Sequence, residues 1–185
     1  MDLVLNLDST VTVTHRITNT GAWDAEFAPW AITVMSPGGL EIIPQPKREA
    51  GMVQNRILAL WPYSDMSDSR VSWGRDYITL RSVTGEVDSF KFGINSEHGF
   101  SAYFNHGNMF IKRFSPVQGG TYPDGGVSYE TYTDKFVLEM ETLGELKRVK
   151  PNETVGHTET WSLVLGVPEP KSEREIAAVV EKYII

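Results

Sequence analysis

The sequence predicts an all-β protein, a sandwich or barrel built from about ten or more short strands. Short runs in which apolar and polar residues alternate recur along the chain, and clusters of Gly, Pro, Asn, Asp and Ser separate them. Helical periodicity occurs only near the C-terminus. The 185 residues are enough to bury a substantial core, and because no linker or repeat divides them we expect one domain over residues 1–185.

The N-terminal strands begin with a hairpin. Alternating residues on both sides of a turn at residues 6–9 predict two paired strands. A third strand over residues 26–35 ends at Ser36-Pro37-Gly38-Gly39, a sequence typical of a turn. Shorter apolar runs lie at residues 42–43 and 56–61, and the segment between them lacks periodicity and is predicted to be a loop.

The C-terminal part of the chain carries further strands and the helix. Runs that predict strands lie at residues 77–83, 90–94, 100–105, 109–114, 127–132, 135–143 and 154–165. Ser172, with Glu175 three residues later, forms the capping-box pattern of a helix N-terminus. Ile176 and Val180 belong to an apolar stripe that follows, so we expect one short helix at about residues 172–184.

Composition excludes several classes of function. A formal net charge of −7 and a pI near 5.1 argue against nucleic acid as a partner. The absence of cysteine rules out disulfides, catalytic thiolates and thiolate metal sites. No apolar run is long enough to span a membrane and no signal peptide precedes the first strand. We therefore expect a soluble chain with no membrane partner and no visible cellular address.

Cofactor motifs are equally sparse. No glycine-rich phosphate loop links a strand to a helix, and no Gly-x-Ser-x-Gly elbow is present. The four histidines show no tight ligand spacing, although His98 and His106 flank one strand and a metal shared between them is geometrically allowed. We expect no metal site and no cofactor, but Asp and carbonyl oxygens can hold a divalent cation without leaving a spacing signature.

One predicted strand carries two glutamates on the same face. Side chains alternate along a strand, so Phe136, Leu138 and Met140 form an apolar face that belongs against a core. Glu139 and Glu141 lie on the opposite face, about 7 Å apart. On an outer surface they would simply be solvated, whereas on the concave face of a curved sheet they would point into a cleft. The alternation leaves both interpretations open.

Aromatic and polar residues are interleaved in a way that suits sugars. A pyranose packs its C–H face on an aromatic ring while its hydroxyls bond to polar groups. Trp30 and the other tryptophans are candidates for such contacts, although filling a β-sandwich core is the more frequent role. Lys112 lies between Phe110 and Phe114 on one strand face, so it either lines a polar cleft or extends to an edge. Lys91 faces away from its phenylalanine neighbours and is compatible with plain surface.

Three more residues are candidates for ligand contacts. Asp124 lies in the rigid Tyr122-Pro-Asp-Gly-Gly126 loop, which either presents this side chain or uses it to cap a turn. Glu130 follows on the next strand, on a face polar enough to line a cleft. Arg70, close in sequence to two aspartates, is interpreted first as a member of a surface ion network.

Several short motifs stand out along the chain. They are Trp61-Pro-Tyr63 with Asp68-Ser-Arg70, Tyr122-Pro-Asp-Gly-Gly126 with Glu130, Leu138-Glu-Met-Glu-Thr-Leu143, and Pro151-Asn-Glu with His157-Thr-Glu-Thr-Trp161. Together they resemble an uncharacterised family of the galactose mutarotase-like superfamily, which also contains the aldose 1-epimerases. The resemblance runs from about residue 11 to about residue 165. It implies a β-supersandwich fold with a carbohydrate-binding concave face.

The resemblance also implies roles for individual residues. In aldose epimerases a glutamate in a Leu-Glu strand removes the proton of the anomeric hydroxyl, and Glu139 matches that position with Glu141 as its companion. The acid in those enzymes is a histidine, and Trp30 occupies its approximate place in this sequence. His98 and Lys112 are the remaining candidates for the proton donor.

Taken together, these features predict a carbohydrate-binding domain of mutarotase-like fold. The expected sugar contacts are Glu141, Lys112, Tyr122, Asp124, Glu130, Trp30 and Arg70. The alternatives are an aldose or sugar-phosphate 1-epimerase with Glu139 as general base, and a structural or interaction domain. The resemblance implies longer domains, so three interpretations of this chain stay open: an N-terminally truncated copy, a fragment of a larger gene, or a minimal form. A missing sheet edge would leave apolar surface uncovered, and for this reason we expect a homodimer.

Overall fold

The computed structural model describes all 185 residues and consists of antiparallel β-sheets with one C-terminal helix, which confirms the predicted fold class. The helix, α1, spans Glu173–Tyr183. The strands are β1 (Asp2–Leu5), β2 (Val11–Thr18), β3 (Ala25–Phe27), β4 (Trp30–Met35), β5 (Leu40–Pro44), β6 (Leu58–Leu60), β7 (Val71–Trp73), β8 (Tyr77–Arg81), β9 (Phe90–Ile94), β10 (Phe100–Asn105), β11 (Asn108–Phe114), β12 (Tyr129–Thr133), β13 (Leu138–Leu143), β14 (Lys147–Val149) and β15 (Thr154–Val164).

The strands form two large sheets and one small ribbon. The eight-stranded sheet has the order β1-β2-β15-β11-β10-β5-β8-β7, and the five-stranded sheet has the order β4-β13-β12-β9-β6. Strands β14 and β3 pair separately with each other. No helix of the chain is long and apolar enough to cross a lipid bilayer.

Apolar side chains cover both faces of the eight-stranded sheet. The cluster between the two sheets consists of Ile43, Ile78, Leu80, Phe90, Phe92, Ile94, Tyr103, Phe114, Tyr129, Leu138 and Met140. On the opposite face, Ile176 and Val180 of α1 pack over a second cluster that includes Ile42 and Phe104. Adjacent residues such as Ile42 and Ile43 thus belong to different clusters, as the alternation of side chains along a strand requires.

The helix is capped at Ser172, as its sequence predicts, and a contact that the sequence did not predict ties it to the sheet. Ser172 is the N-cap residue, and its hydroxyl accepts a hydrogen bond from the backbone N–H of Glu175 at 3.3 Å. The carboxylate of Glu173 accepts hydrogen bonds from the backbone N–H groups of Asp76 at 2.6 Å and Tyr77 at 3.1 Å. These bonds tie the start of the helix to strand β8, so the helix covers a fixed part of the sheet.

The strand that carries the two glutamates begins later than predicted. Leu138 and Met140 are fully buried, but the side chain of Phe136 is 68% exposed and lies in the turn before β13. The carboxylate of Asp134 accepts hydrogen bonds from the backbone N–H groups of Phe136 at 2.7 Å and Val137 at 3.0 Å. These bonds hold the turn, so the assignment of Phe136 to the core face was wrong.

Lys112 lies between the sheets rather than in a cleft or at an edge. Its ammonium is 2.7 Å from Glu159 Oε1 and donates hydrogen bonds to the carbonyl oxygens of Ala31 at 3.0 Å and Met140 at 2.7 Å. The lysine is completely buried, and burial lowers its pKa although the nearby Glu159 opposes this effect. Lys112 therefore connects the two sheets, and both interpretations drawn from its sequence position were wrong.

A buried glutamate forms a second polar connection between the sheets. Glu41 of β5 accepts hydrogen bonds from Ser101 at 2.8 Å, from Thr131 at 2.6 Å and from the hydroxyl of Tyr129. Burial raises the pKa of Glu41 to about 7, against the effect of these hydrogen bonds. The folded protein therefore holds a proton on Glu41 at pH values where the unfolded chain has lost it.

The raised pKa of Glu41 predicts that the folded protein loses stability as the pH rises. Because the folded state binds more protons than the unfolded state between the ordinary pKa of 4.5 and about 7, the contribution of Glu41 decreases across that window, by up to about 3 kcal/mol. Glu41→Gln, which mimics the protonated carboxyl group, should remove this part of the pH dependence. Urea unfolding of both proteins at about pH 5 and pH 8 checks this, and an unchanged pH dependence in the variant would contradict it.

Removing the buried lysine should destabilise the fold strongly. Lys112→Met leaves the carboxylate of Glu159 buried without its cation, which costs about 3–5 kcal/mol in comparable cases. The matched control is Lys135→Met, because Lys135 forms an exposed ion pair with Glu86 at 3.0 Å and such pairs contribute at most about 1 kcal/mol. Equal losses of unfolding free energy in the two variants would show that Lys112 does not connect the sheets.

Candidate functional site

The candidate site lies on the outward face of the five-stranded sheet, which we define as the face that points away from the eight-stranded sheet. Leu138 and Met140 of β13 point inward, so Glu139 and Glu141 point outward. The register aligns Glu141 with Glu130 of β12. It also aligns Tyr132 with Glu139 on one side and with Lys91 of β9 on the other. Strand pairing thus gathers three carboxylates and one ammonium on one surface.

Lys91, Glu130 and Glu141 form a buried ion cluster on this face. The ammonium of Lys91 lies 2.8 Å from Glu130 Oε2 and 2.8 Å from Glu141 Oε2. Burial acts to lower the pKa of Lys91, but the hydrogen bonds to Glu130 and Glu141 outweigh it and leave that pKa raised. The lysine is therefore a fixed positive charge between two carboxylates.

Two tryptophan rings flank this lysine. The Lys91 ammonium lies 4.9 Å from the ring centroid of Trp30 and 4.7 Å from that of Trp61, within the range of cation–π contacts. The indole N–H of Trp30 donates a hydrogen bond to Glu141 Oε2 at 2.7 Å. Trp30 is nevertheless 55% exposed, so the prediction that a tryptophan fills the core fails at this position. Its free ring surface faces solvent above the ion cluster.

Glu130 has a buried carboxylate oxygen without a hydrogen-bond partner. Its side chain is 2% exposed, and Oε1 has no hydrogen-bond donor. Burial raises the pKa of Glu130 to about 7; the contacts with Lys91 oppose this rise, while the charge of Glu141 and the neighbouring carboxyl group of Asp124 add to it. Near neutral pH this carboxyl group can therefore either give or take a proton.

A strained turn holds Asp124 next to Glu130. Asp124 has a positive φ of 51°, which is unusual for a residue other than glycine. The turn is closed by a hydrogen bond from the backbone N–H of Gly126 to the carbonyl oxygen of Pro123 at 2.9 Å. The prediction offered two roles for Asp124, and the structure places its side chain at the site.

These side chains surround a cavity of about 320 Å³. Its lining consists of Ala28, Trp30, Trp61, Lys91, Pro123, Asp124, Glu130 and Leu143. Small-molecule sites begin at about 300 Å³ and combine apolar walls with a few polar groups. The size and the mixed lining of this cavity fit a single small polar molecule.

A second cavity lies on the same side of the five-stranded sheet. Glu139 is partly buried, and burial together with the charge of Glu141 raises its pKa. Its cross-strand partner Tyr132 lines a cavity of about 600 Å³, whose other lining residues are Tyr63, Asp65, Asp68, Asp88 and Ser89. The rings of Tyr63 and Tyr132 meet edge to face with centroids 6.4 Å apart. This second cavity is aromatic and acidic, like the first.

The remaining predicted site residues lie away from this face. Lys112 is enclosed between the sheets. His98 is exposed in the turn between β9 and β10 and, with Tyr122, lines a different cavity of about 1020 Å³. The hydroxyl of Tyr122 accepts a hydrogen bond from the backbone N–H of Val117 at 2.7 Å. Arg70 pairs with Asp68 at 2.7 Å, as the prediction of an ion network implied. None of the four lines the cavity at Trp30 and Trp61.

Sequence reasoning missed Lys91 and gave no special role to Trp61. The alternation Phe90-Lys91-Phe92 correctly put Lys91 on the face away from the core. Nothing in the sequence states which strand pairs with β9, so the lysine could not be matched with Glu130 and Glu141. The usable signal is that β9 and β13 have the same pattern, a charged residue between two buried apolar ones.

Sequence comparisons identify no relative, whereas structural comparisons find the same fold in known proteins. No protein-family model matches the sequence, and no curated protein is detectably similar to it. A proposed aldose 1-epimerase from Escherichia coli K12 superimposes with a TM-score of 0.54 at 12% identity, over 84% of this chain and 56% of that chain. A TPR-domain containing protein from Parabacteroides distasonis gives a TM-score of 0.50 at 12% identity, over 91% of this chain and 31% of that one.

A third solved structure, the Slr1438 protein from Synechocystis sp. PCC 6803, gives a TM-score of 0.48 at 12% identity, over 84% of this chain and 50% of that chain. The likeness to the Escherichia coli protein shows that this chain has the aldose 1-epimerase-like sandwich fold that the resemblance of its motifs implies. It spans a little over half the length of the Escherichia coli protein.

Proposed function

We propose that this chain binds a carbohydrate in the cavity between Trp30, Trp61 and Glu130. The observation that carries the proposal is a buried carboxylate oxygen, Glu130 Oε1, that lacks a donor beside an exposed aromatic ring. A buried acceptor without a partner is costly, so a ligand that donates to it gains affinity. The aldose 1-epimerase-like fold is consistent with a sugar ligand.

The lining of the cavity suits the two chemical sides of a sugar. The exposed ring of Trp30 offers a flat surface for the C–H face of a pyranose. The carboxyl groups of Glu130 and Asp124 offer acceptors to its hydroxyls. Lys91 and Glu141 already bond to each other, so they fix the floor of the cavity and the position of Glu130.

A second candidate function is aldose 1-epimerase activity, which the pKa of Glu130 favours. Ring opening needs a base that takes the proton of the anomeric hydroxyl and an acid that protonates the ring oxygen as the C1–O5 bond breaks. Glu139 and Glu130 are diagonal neighbours across β12 and β13, with Cα atoms about 7–8 Å apart. Glu139 would be the base, and Glu130, with a pKa of about 7, would supply the proton in place of the missing histidine.

The binding proposal predicts a specific loss when Trp30 is truncated. Trp30→Ala should weaken binding of a suitable aldose about tenfold or more, which corresponds to about 1.4 kcal/mol. Trp23→Ala is the matched control, because Trp23 is 83% exposed and does not line the cavity. Isothermal titration calorimetry against a panel of aldoses checks the prediction. If no sugar in the panel binds, or if both variants bind alike, the proposed site is wrong.

The two candidate functions differ in whether the anomers exchange. With an active epimerase, two-dimensional NMR exchange would detect conversion between α and β anomers, and Glu139→Gln or Glu130→Gln would slow it about 10²–10⁴-fold. The matched control is Glu86→Gln, which alters an exposed glutamate outside the cavity. Saturable sugar binding with no enzyme-dependent exchange would exclude the epimerase and leave the binding function.

A further inference from the structure

The charges around the cavity are strongly unequal. The carboxyl groups of Glu130, Glu141, Glu139 and Asp124 lie on or beside the outward face, and Lys91 is the cation among them. The second cavity on this side adds Asp65, Asp68 and Asp88. Only one of these three aspartates, Asp68, pairs with an arginine, Arg70. A ligand that enters this surface therefore meets a negative potential.

The single positive charge of Lys91 does not neutralise all the carboxylates around the cavity. Its ammonium is committed to Glu130 Oε2 and to both oxygens of Glu141, with distances of 2.8 Å, 2.8 Å and 3.1 Å. It is also enclosed between the rings of Trp30 and Trp61. The other oxygen of Glu130 and the carboxyl group of Asp124 therefore receive no hydrogen bond from this lysine.

When no ligand is present, the neighbouring carboxyl groups of Glu130 and Asp124 bind a proton. Two neighbouring carboxylates repel each other, so one of them holds a proton more tightly than usual. Here burial, together with the charge of Glu141 and the neighbouring carboxyl group of Asp124, raises the pKa of Glu130 to about 7, and Glu130 Oε1 has no hydrogen-bond partner at the cavity. A donor that carries its own positive charge can occupy the place of that proton and bond to both groups.

We propose that the ligand is an amino sugar whose free ammonium group donates hydrogen bonds to Glu130 Oε1 and to Asp124. The inference rests on the proposed carbohydrate-binding function and names the class of sugar. A neutral hydroxyl can also donate to Glu130 Oε1, but it does not offset the negative charge. A sugar phosphate would add charge of the same sign as the carboxylates and is disfavoured.

The proposal predicts that binding displaces a proton. The titratable groups that face Glu130 are Glu141 and Glu139 on β13, Lys91 on β9, Asp124 in its turn and Tyr63 after β6. With the ligand ammonium in place, Glu130 gains a cation and loses its proton. At about pH 6.5 a carboxyl group with a pKa of about 7 is about three-quarters protonated, so binding should release up to about that fraction of a proton.

Calorimetry with four defined probes tests the inference. D-glucosamine, D-glucose, N-acetyl-D-glucosamine and D-glucose 6-phosphate are titrated at about pH 6.5, with EDTA present, in buffers of different ionisation enthalpy. We expect D-glucosamine to bind at least about tenfold more tightly than D-glucose, with D-glucose 6-phosphate weakest. Only D-glucosamine should release a proton, because N-acetylation removes the charge.

Glu130→Gln is the decisive variant, because the amide keeps the shape and the acceptor oxygen of the carboxyl group but cannot lose a proton or carry a negative charge. It should abolish the preference for D-glucosamine and the proton release, and it should weaken D-glucose binding less than D-glucosamine binding, because the amide oxygen still accepts a hydrogen bond from a hydroxyl. Glu86→Gln, an exposed change outside the cavity, should leave both unchanged. Thermal unfolding of the variants confirms that both are folded.

The outcomes separate this inference from the function on which it rests. Binding of D-glucose as tight as that of D-glucosamine overturns the amino-sugar class and leaves carbohydrate binding in place. A preference for D-glucosamine that survives Glu130→Gln overturns the assignment to Glu130. If none of the four sugars binds, the proposed function fails, and the inference fails with it.

Discussion

The ammonium of Lys91 determines the electrostatics of the outward face. It holds Glu130 and Glu141, which lie on different strands, at 2.8 Å each, and it is enclosed by Trp30 and Trp61. This arrangement compensates one oxygen of Glu130 and leaves the other without a donor. Burial raises the pKa of Glu130, and the oxygen that Lys91 leaves free is the acceptor on which the proposed ligand contact depends.

Lys112 shows how the same residue type serves a different purpose inside the fold. Lys91 pairs with two glutamates and Lys112 with one, and Lys112 also donates hydrogen bonds to two backbone carbonyl oxygens. Its environment is fully satisfied, so it stabilises the contact between the sheets. At Lys91 one acceptor of Glu130 remains free beside a cavity, and for this reason we propose that cluster as the ligand site.

Much of the fold could be predicted from alternation alone. Leu138 and Met140 were correctly placed inward and Glu139 and Glu141 outward, because side-chain direction in a strand is a local property. Phe136 was misplaced because the backbone N–H groups of Phe136 and Val137 donate hydrogen bonds to Asp134 and hold a turn, so the strand begins later than hydrophobicity suggests.

The site was less predictable because it depends on which strands are neighbours. Glu130, Glu141, Asp124 and Trp30 were named from polarity and resemblance, and the structure brings them together. The contacts of Lys91 with Glu130 and Glu141 were not predicted, because they depend on the pairing of β9 with β12, which is distant in sequence. Lys112 was misjudged for the same reason, since its partner Glu159 lies on a neighbouring strand.

The most direct test of this account is the titration of Glu130 itself. The side-chain carboxyl shift can be followed by NMR in a carbon-13-labelled sample without ligand, with Glu130→Gln used to assign the signal. The account predicts a midpoint at about pH 7. A midpoint near the ordinary value of 4.5 would mean that Glu130 is well compensated, and it would contradict the proposed site.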